Sequence, residues 1–70
     1  MKGIVVDYDS INNFFTVETE NRRYIVCEPI GGYEVSINDE IKGNFDSLGS
    51  EQLFNISQNE YIDVVIQEIK

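Results

Sequence analysis

Phe14-Phe15-Thr16-Val17-Glu18-Thr19-Glu20-Asn21-Arg22-Arg23-Tyr24-Ile25-Val26-Cys27-Glu28 reads as two strands around a short turn. Phe15, Val17 and Thr19 fall on one side, and Phe14, Thr16 and Glu18 on the other. That two-residue period belongs to a strand whose sides meet different surroundings. Glu20-Asn21-Arg22 supplies the turn. From Arg23 to Glu28 the period resumes, with Ile25 and Cys27 facing opposite to Tyr24 and Val26.

The same period extends in both directions. Ile4, Val6 and Tyr8 alternate with Asp7 and Asp9, which predicts a half-buried strand before the turn Ser10-Ile11-Asn12-Asn13. Three strands joined by tight turns make a meander. Pro29 stops the ladder because it has no amide hydrogen. The stretch 30–38, with Gly31-Gly32 inside it, is the longest irregular connection. Ile37, Ile41, Gly43 and Phe45, interleaved with Glu40, Lys42 and Asn44, predict a further strand, and Gly43 within it predicts a bend or a close backbone approach. Asp46-Ser47-Leu48-Gly49-Ser50 turns the chain, Leu53 to Ile56 is a short strand, and Ser57-Gln58-Asn59-Glu60 is a final turn. The run from Ile62 to Ile69 fits a helix or a strand. Its β-branched Ile62, Val64, Val65 and Ile66 favour the strand, with Ile62, Val64 and Ile66 inward. The expectation is an all-β single domain over residues 1–70: a small closed or partly open antiparallel barrel of five to six strands.

Composition narrows the function classes. A chain of 70 residues with 41% hydrophobic content builds one compact core and no second domain. Thirteen Asp and Glu against five Lys and Arg leave a formal charge of −8, which opposes phosphate binding, since that affinity comes from cations displacing counterions. The acids run from Asp7 to Glu68 without forming a block, as in a solubilising surface or one that steers toward a basic partner. A lone Cys27 predicts a reducing compartment, and no apolar stretch reads as a leader or a membrane span, so the expected location is the cytoplasm.

Met1-Lys2-Gly3-Ile4-Val5-Val6-Asp7-Tyr8-Asp9-Ser10-Ile11-Asn12-Asn13-Phe14-Phe15-Thr16-Val17 resembles the opening hairpin of cold-shock-type OB-fold domains. Ile37-Asn38-Asp39-Glu40-Ile41-Lys42-Gly43 and Gly49-Ser50-Glu51-Gln52-Leu53-Phe54-Asn55-Ile56 resemble later steps of the same fold. The resemblance implies an OB-like barrel that holds single-stranded nucleic acid on outward aromatics ringed by Lys. On that comparison Asp7 stands where a stacking Trp is expected, and Val6 and Asn12 stand where Lys is expected. Thr16 replaces a stacking Phe, while Phe14 and Tyr24 match platform positions beside Val26. The segment from Tyr61 to Lys70 departs from the family. Stacking contributes roughly 1–3 kcal/mol per base, so two aromatics without the surrounding cations bind weakly at physiological salt.

No catalytic set is visible. The chain has no His, the commonest general base, and Cys27 in mid-strand reads as a buried small hydrophobe. Asp7 and Asp9, with Asp63 or Glu60, are too sparse for the six or more oxygens that calcium takes. Gly31-Gly32 lacks the Lys and Ser or Thr of a phosphate loop. No residue therefore stands out as catalytic or as a metal ligand, and no cofactor is expected. Candidate binding residues are Phe14, Tyr24 and Val26 on the outer face of the second and third strands, with Arg22 and Arg23 at their turn and Tyr33 as an exposed contact in the long connection. Aromatics beside Arg have the composition of protein-binding hot spots, and they serve equally as cross-strand packing. The expectation is a non-enzymatic module for a protein or peptide partner, with weak single-stranded RNA or DNA binding as the alternative.

Overall fold

The computed structural model describes residues 1–70 and contains no helix. Six strands form: β1 (Lys2–Asp9), β2 (Phe14–Thr19), β3 (Tyr24–Pro29), β4 (Glu40–Lys42), β5 (Gly49–Asn55) and β6 (Glu60–Ile69). They close in the order β1-β2-β3-β6-β5-β4, with β4 returning to β1 and every neighbouring pair antiparallel. The result is a closed antiparallel barrel, compatible with an OB-like fold. The last segment is the strand that its β-branched residues favoured.

Strict alternation of strand direction sorts the connections between the two ends. Residues 10–13, 30–39 and 56–59 lie at one end; residues 20–23, 43–48 and both termini lie at the other. Asn13 (φ 57°), Arg22 (φ 64°) and Asn59 (φ 56°) turn three of the four hairpin corners in the left-handed region. Asn tolerates that region well, and Arg enters it at a steric cost.

The core is one cluster of eleven side chains. Phe15 and Val17 enter from β2, Ile25 and Cys27 from β3, Leu53 from β5, and Ile62, Val64 and Ile66 from β6. Phe45, from the connection after β4, plugs the remaining space. The positions on β2, β3 and β6 follow the expected phase.

Three expectations need correction. In β1 the buried residues are Gly3 and Val5, and the stripe Ile4, Val6, Tyr8 is exposed. Val5 pairs with Val17 while Asp7 pairs with Thr16, so Val6 is an extra residue in a β-bulge and the apparent period runs across a change of phase. The fourth strand is three residues long and begins at Glu40. Ile37 is 55% exposed, and the Asn38 that follows it takes a left-handed conformation (φ 80°) that separates it from β4. The fifth strand spans Gly49–Asn55, starting inside the expected turn and ending before Ile56.

Gly43 does mark a close approach. Its φ is 154°, and a Cβ there would lie 2.6 Å from Leu53 Cδ2. Gly32, by contrast, has open space around it and ordinary backbone. Gly43→Ala is expected to lower stability by about 2 kcal/mol or more, read as a shift in urea midpoint, and Gly32→Ala to leave it nearly unchanged. Equal midpoints for the two variants would remove Gly43 from the packing account.

A buried polar network holds the start of β4. Asp39 Oδ2 accepts hydrogen bonds from Ser36 N (2.9 Å), Asn55 Nδ2 (2.9 Å) and Gln58 Nε2 (3.3 Å). Asn55 is fully buried, and its Oδ1 accepts from Gln58 N. Burial raises the Asp39 pKa, but the three donors outweigh it and the net shift is downward from 3.8. A carboxylate with a lowered folded pKa contributes stability that is fully present above 3.8 and is lost as pH falls through the folded value. Asp39→Ala, which leaves Asn55 Nδ2 buried without an acceptor, is expected to cost about 1–3 kcal/mol at pH 7. Denaturant titrations should find that difference shrinking below pH 4. A pH-independent difference would exclude the charged form as the stabilising one.

Candidate functional site

The outer face of β2 and β3 is set by their register. Thr16 pairs with Val26 and Glu18 with Tyr24, so Phe14, Thr16, Glu18, Tyr24 and Val26 share one face, as expected. Phe14 and Val26 are half-buried, and Tyr24 is 43% exposed. The two aromatics lie at opposite ends of the hairpin, with Val26 between them.

Carboxylates surround this row. Asp9 pairs with Phe14, Glu18 with Tyr24, and Glu68 on β6 with Val26. Arg22 and Arg23 sit at the turn, where Arg22 N donates to Thr19 O and Arg23 N to Thr19 Oγ1. Both Arg side chains are exposed, and neither makes an ion pair. They adjoin only the Tyr24 end of the face.

Tyr33 is not the exposed contact that the sequence predicts. It is half-buried against the core, and its hydroxyl donates to Asp63 Oδ2 at 3.2 Å. The long connection holds it because Ile30 N also donates to Asp63 O, which draws the segment onto β6. Tyr33 thus belongs to the end of the barrel and not to the β2–β3 face.

A second aromatic group was not anticipated. On the outer face of β4, β5 and β6, Lys42 pairs with Phe54 and Phe54 with Tyr61. The Lys42 Nζ lies 5.5 Å from the Phe54 ring centroid, and the Phe54 and Tyr61 rings meet edge-on at 4.8 Å. The signal was available: Leu53 and Ile62 point inward, so their neighbours Phe54 and Tyr61 point outward on either side of a four-residue turn. This row clips the shortest strand to its neighbours, which is a structural role for half-buried Phe54.

Cys27 is fully buried, and burial pushes its thiol up to about 12. No three His, Cys, Asp or Glu side chains group as metal ligands. Asp9 is held below its ordinary value by the Asn12 side chain, which donates to Oδ2 at 2.9 Å, and by the Ile11 and Asn12 amides. Its role is to cap the β1–β2 turn. No helix is long and apolar enough to cross a membrane.

No protein-family model, curated protein or solved structure matches this chain, so the reading of its surfaces rests on geometry and charge. The thiol gives a direct check on the packing beneath the β2–β3 face. A thiol-specific disulfide reagent should label native Cys27 at least a thousandfold more slowly than the urea-unfolded chain, because the thiolate forms only on opening. Rapid native labelling would mean that the face is not seated on a closed core.

Proposed function

We propose that this protein is a non-enzymatic binding module that engages a protein or peptide through the outer face of β2 and β3. The supporting observation is the row Phe14, Val26, Tyr24, in which each member is paired in register with a carboxylate or lies beside one. A partly exposed apolar strip within acidic borders complements a polypeptide with an apolar anchor and basic flanks. The same borders repel a phosphate backbone, which requires clustered Lys and Arg. The single buried cysteine supports a reducing compartment, the cytoplasm.

A second reading draws on the unpaired Arg22 and Arg23 beside Tyr24: weak single-strand RNA or DNA binding of the cold-shock type. The two readings separate in one pair of experiments. Fluorescence anisotropy with labelled oligonucleotides at physiological salt is expected to give no binding tighter than micromolar. Amine-directed cross-linking of a protein partner is expected to fall at least tenfold in Tyr24→Ser. Submicromolar, steeply salt-dependent oligonucleotide binding that disappears in Phe14→Ala would replace the first reading with the second. Unchanged partner cross-linking in Tyr24→Ser would remove the face from the site.

A further inference from the structure

The basic and acidic side chains are not mixed evenly around the barrel. Lys2 opens β1, Arg22 and Arg23 form the β2–β3 turn, Lys42 ends β4, and Lys70 follows β6. All five therefore lie toward the end that carries residues 20–23, 43–48 and the termini. The opposite end, built from residues 10–13, 30–39 and 56–59, has no Lys or Arg in its connections. It and its flanking strand residues carry Asp7, Asp9, Glu28, Glu34, Asp39, Glu60 and Asp63, besides Glu40, which alone pairs with a base, Lys2.

Glu40 apart, the partners of these carboxylates are neutral. Asp39 accepts from Ser36 N, Asn55 and Gln58, Asp9 from Asn12, Asp63 from Tyr33 and Gln52, and Glu28 from Gln67. Neutral donors stabilise a carboxylate without cancelling its field. Both ion pairs of the molecule, Lys2–Glu40 and Lys70–Glu68, use bases from the other end.

This end also exposes large apolar side chains. Ile11 is 92% exposed at the tip of the β1–β2 turn, and Ile37 and Ile30 are 55% and 51% exposed on the 30–39 connection. Ile11 stands two residues from Asp9, Ile30 from Glu28 and Ile37 from Asp39, so each apolar side chain here has a carboxylate close along the chain.

We infer that this end of the barrel docks a basic, amphipathic segment of a protein partner, its Lys or Arg meeting the carboxylates and its apolar residues covering Ile11 and Ile37. A second copy of this chain is a poorer occupant: two acidic ends repel, and the opposite end, with Glu18, Glu20, Asp46, Glu51 and Glu68 beside its five bases, carries no net positive charge to offer. The inference rests on the protein-binding reading above, and it moves the basic flanks of that partner to a defined end of the molecule.

The test uses the full chain and a short synthetic peptide of alternating lysine and leucine, with oligolysine of equal charge for comparison. Amide NMR shifts should change at residues 10–13, 30–39 and 56–59, with affinity falling as salt is added. Ile11→Ser with Ile37→Ser should weaken the peptide about tenfold, while its melting temperature stays near that of the parent because both side chains are already exposed. Oligolysine should bind at least tenfold more weakly than the mixed peptide. Equal binding of oligolysine, shifts spread over both ends, or no peptide binding would overturn the inference. If Tyr24→Ser abolishes peptide binding and the isoleucine variant does not, the β2–β3 reading stands and this inference falls. Amine-directed cross-linking of a natural partner, compared between the parent and Tyr24→Ser, judges that reading separately.

Discussion

Closure of the wall between β1 and β5 passes through the three residues of β4, and so through the carboxylate of Asp39. A strand of three residues contributes too few ladder bonds to hold its own position. Asp39 compensates on both sides. Its carbonyl accepts from Val5 N (2.9 Å) and Asn38 N donates to Val5 O (2.8 Å), which tie the incoming chain to β1. Its side chain reaches Asn55 and Gln58 at the β5–β6 corner, and the Ser57 hydroxyl accepts from Glu40 N next door. Without these bonds β1 and β5 would both present open edges, the usual starting point for pairing between chains.

The Lys42–Phe54–Tyr61 row reinforces the same joint from outside. Inside, Ile41 enters the core and pairs in register with Asn55, so the polar network and the apolar cluster meet at one strand. Phe45 then fills the space left where the chain leaves β4 and runs back toward β5. A small barrel has a thin stability margin, and here much of it depends on a junction where one buried Asp and one buried Asn satisfy each other.

What could be read in the sequence follows from how each segment is buried. β2, β3 and the Ile62–Ile66 part of β6 contribute seven of the eleven core residues, alternate cleanly, and were legible down to the side chain. β1 was legible as a strand but not in its phase. Its inward positions are Gly3 and Val5, glycine carries no hydrophobic signal, and the bulge at Val6 leaves the exposed Ile4, Val6 and Tyr8 spaced as a buried stripe would be. β4 was overextended because Ile37 and Ile41 share a period that a left-handed Asn38 interrupts, and local spacing cannot report a tertiary network such as that of Asp39. For the surfaces, the face shared by Phe14, Tyr24 and Val26 followed from parity alone. The half-burial of Tyr33 and the pairing of Val26 with Glu68 depended on contacts between segments distant in sequence, and the pairing of Phe14 with Asp9 and of Tyr24 with Glu18 on the register of the two hairpins.

Register also explains why a charge of −8 distributed along the chain becomes a polarised one in space. In a barrel whose neighbouring strands are all antiparallel, each residue's end is set by which side of a turn it occupies, so bases at positions 2, 22, 23, 42 and 70 converge although they are spread through the sequence. The mutual repulsion of the carboxylates left at the far end opposes folding, and bulk salt screens it only where they are exposed. Neutral amide donors from Asn12, Asn55 and Gln58 hold Asp9 and Asp39 in their charged form. A ligand that brings cations to that end relieves repulsion only in the folded chain. Its binding therefore stabilises the barrel by more than its direct contacts would, and stability and occupancy become thermodynamically linked.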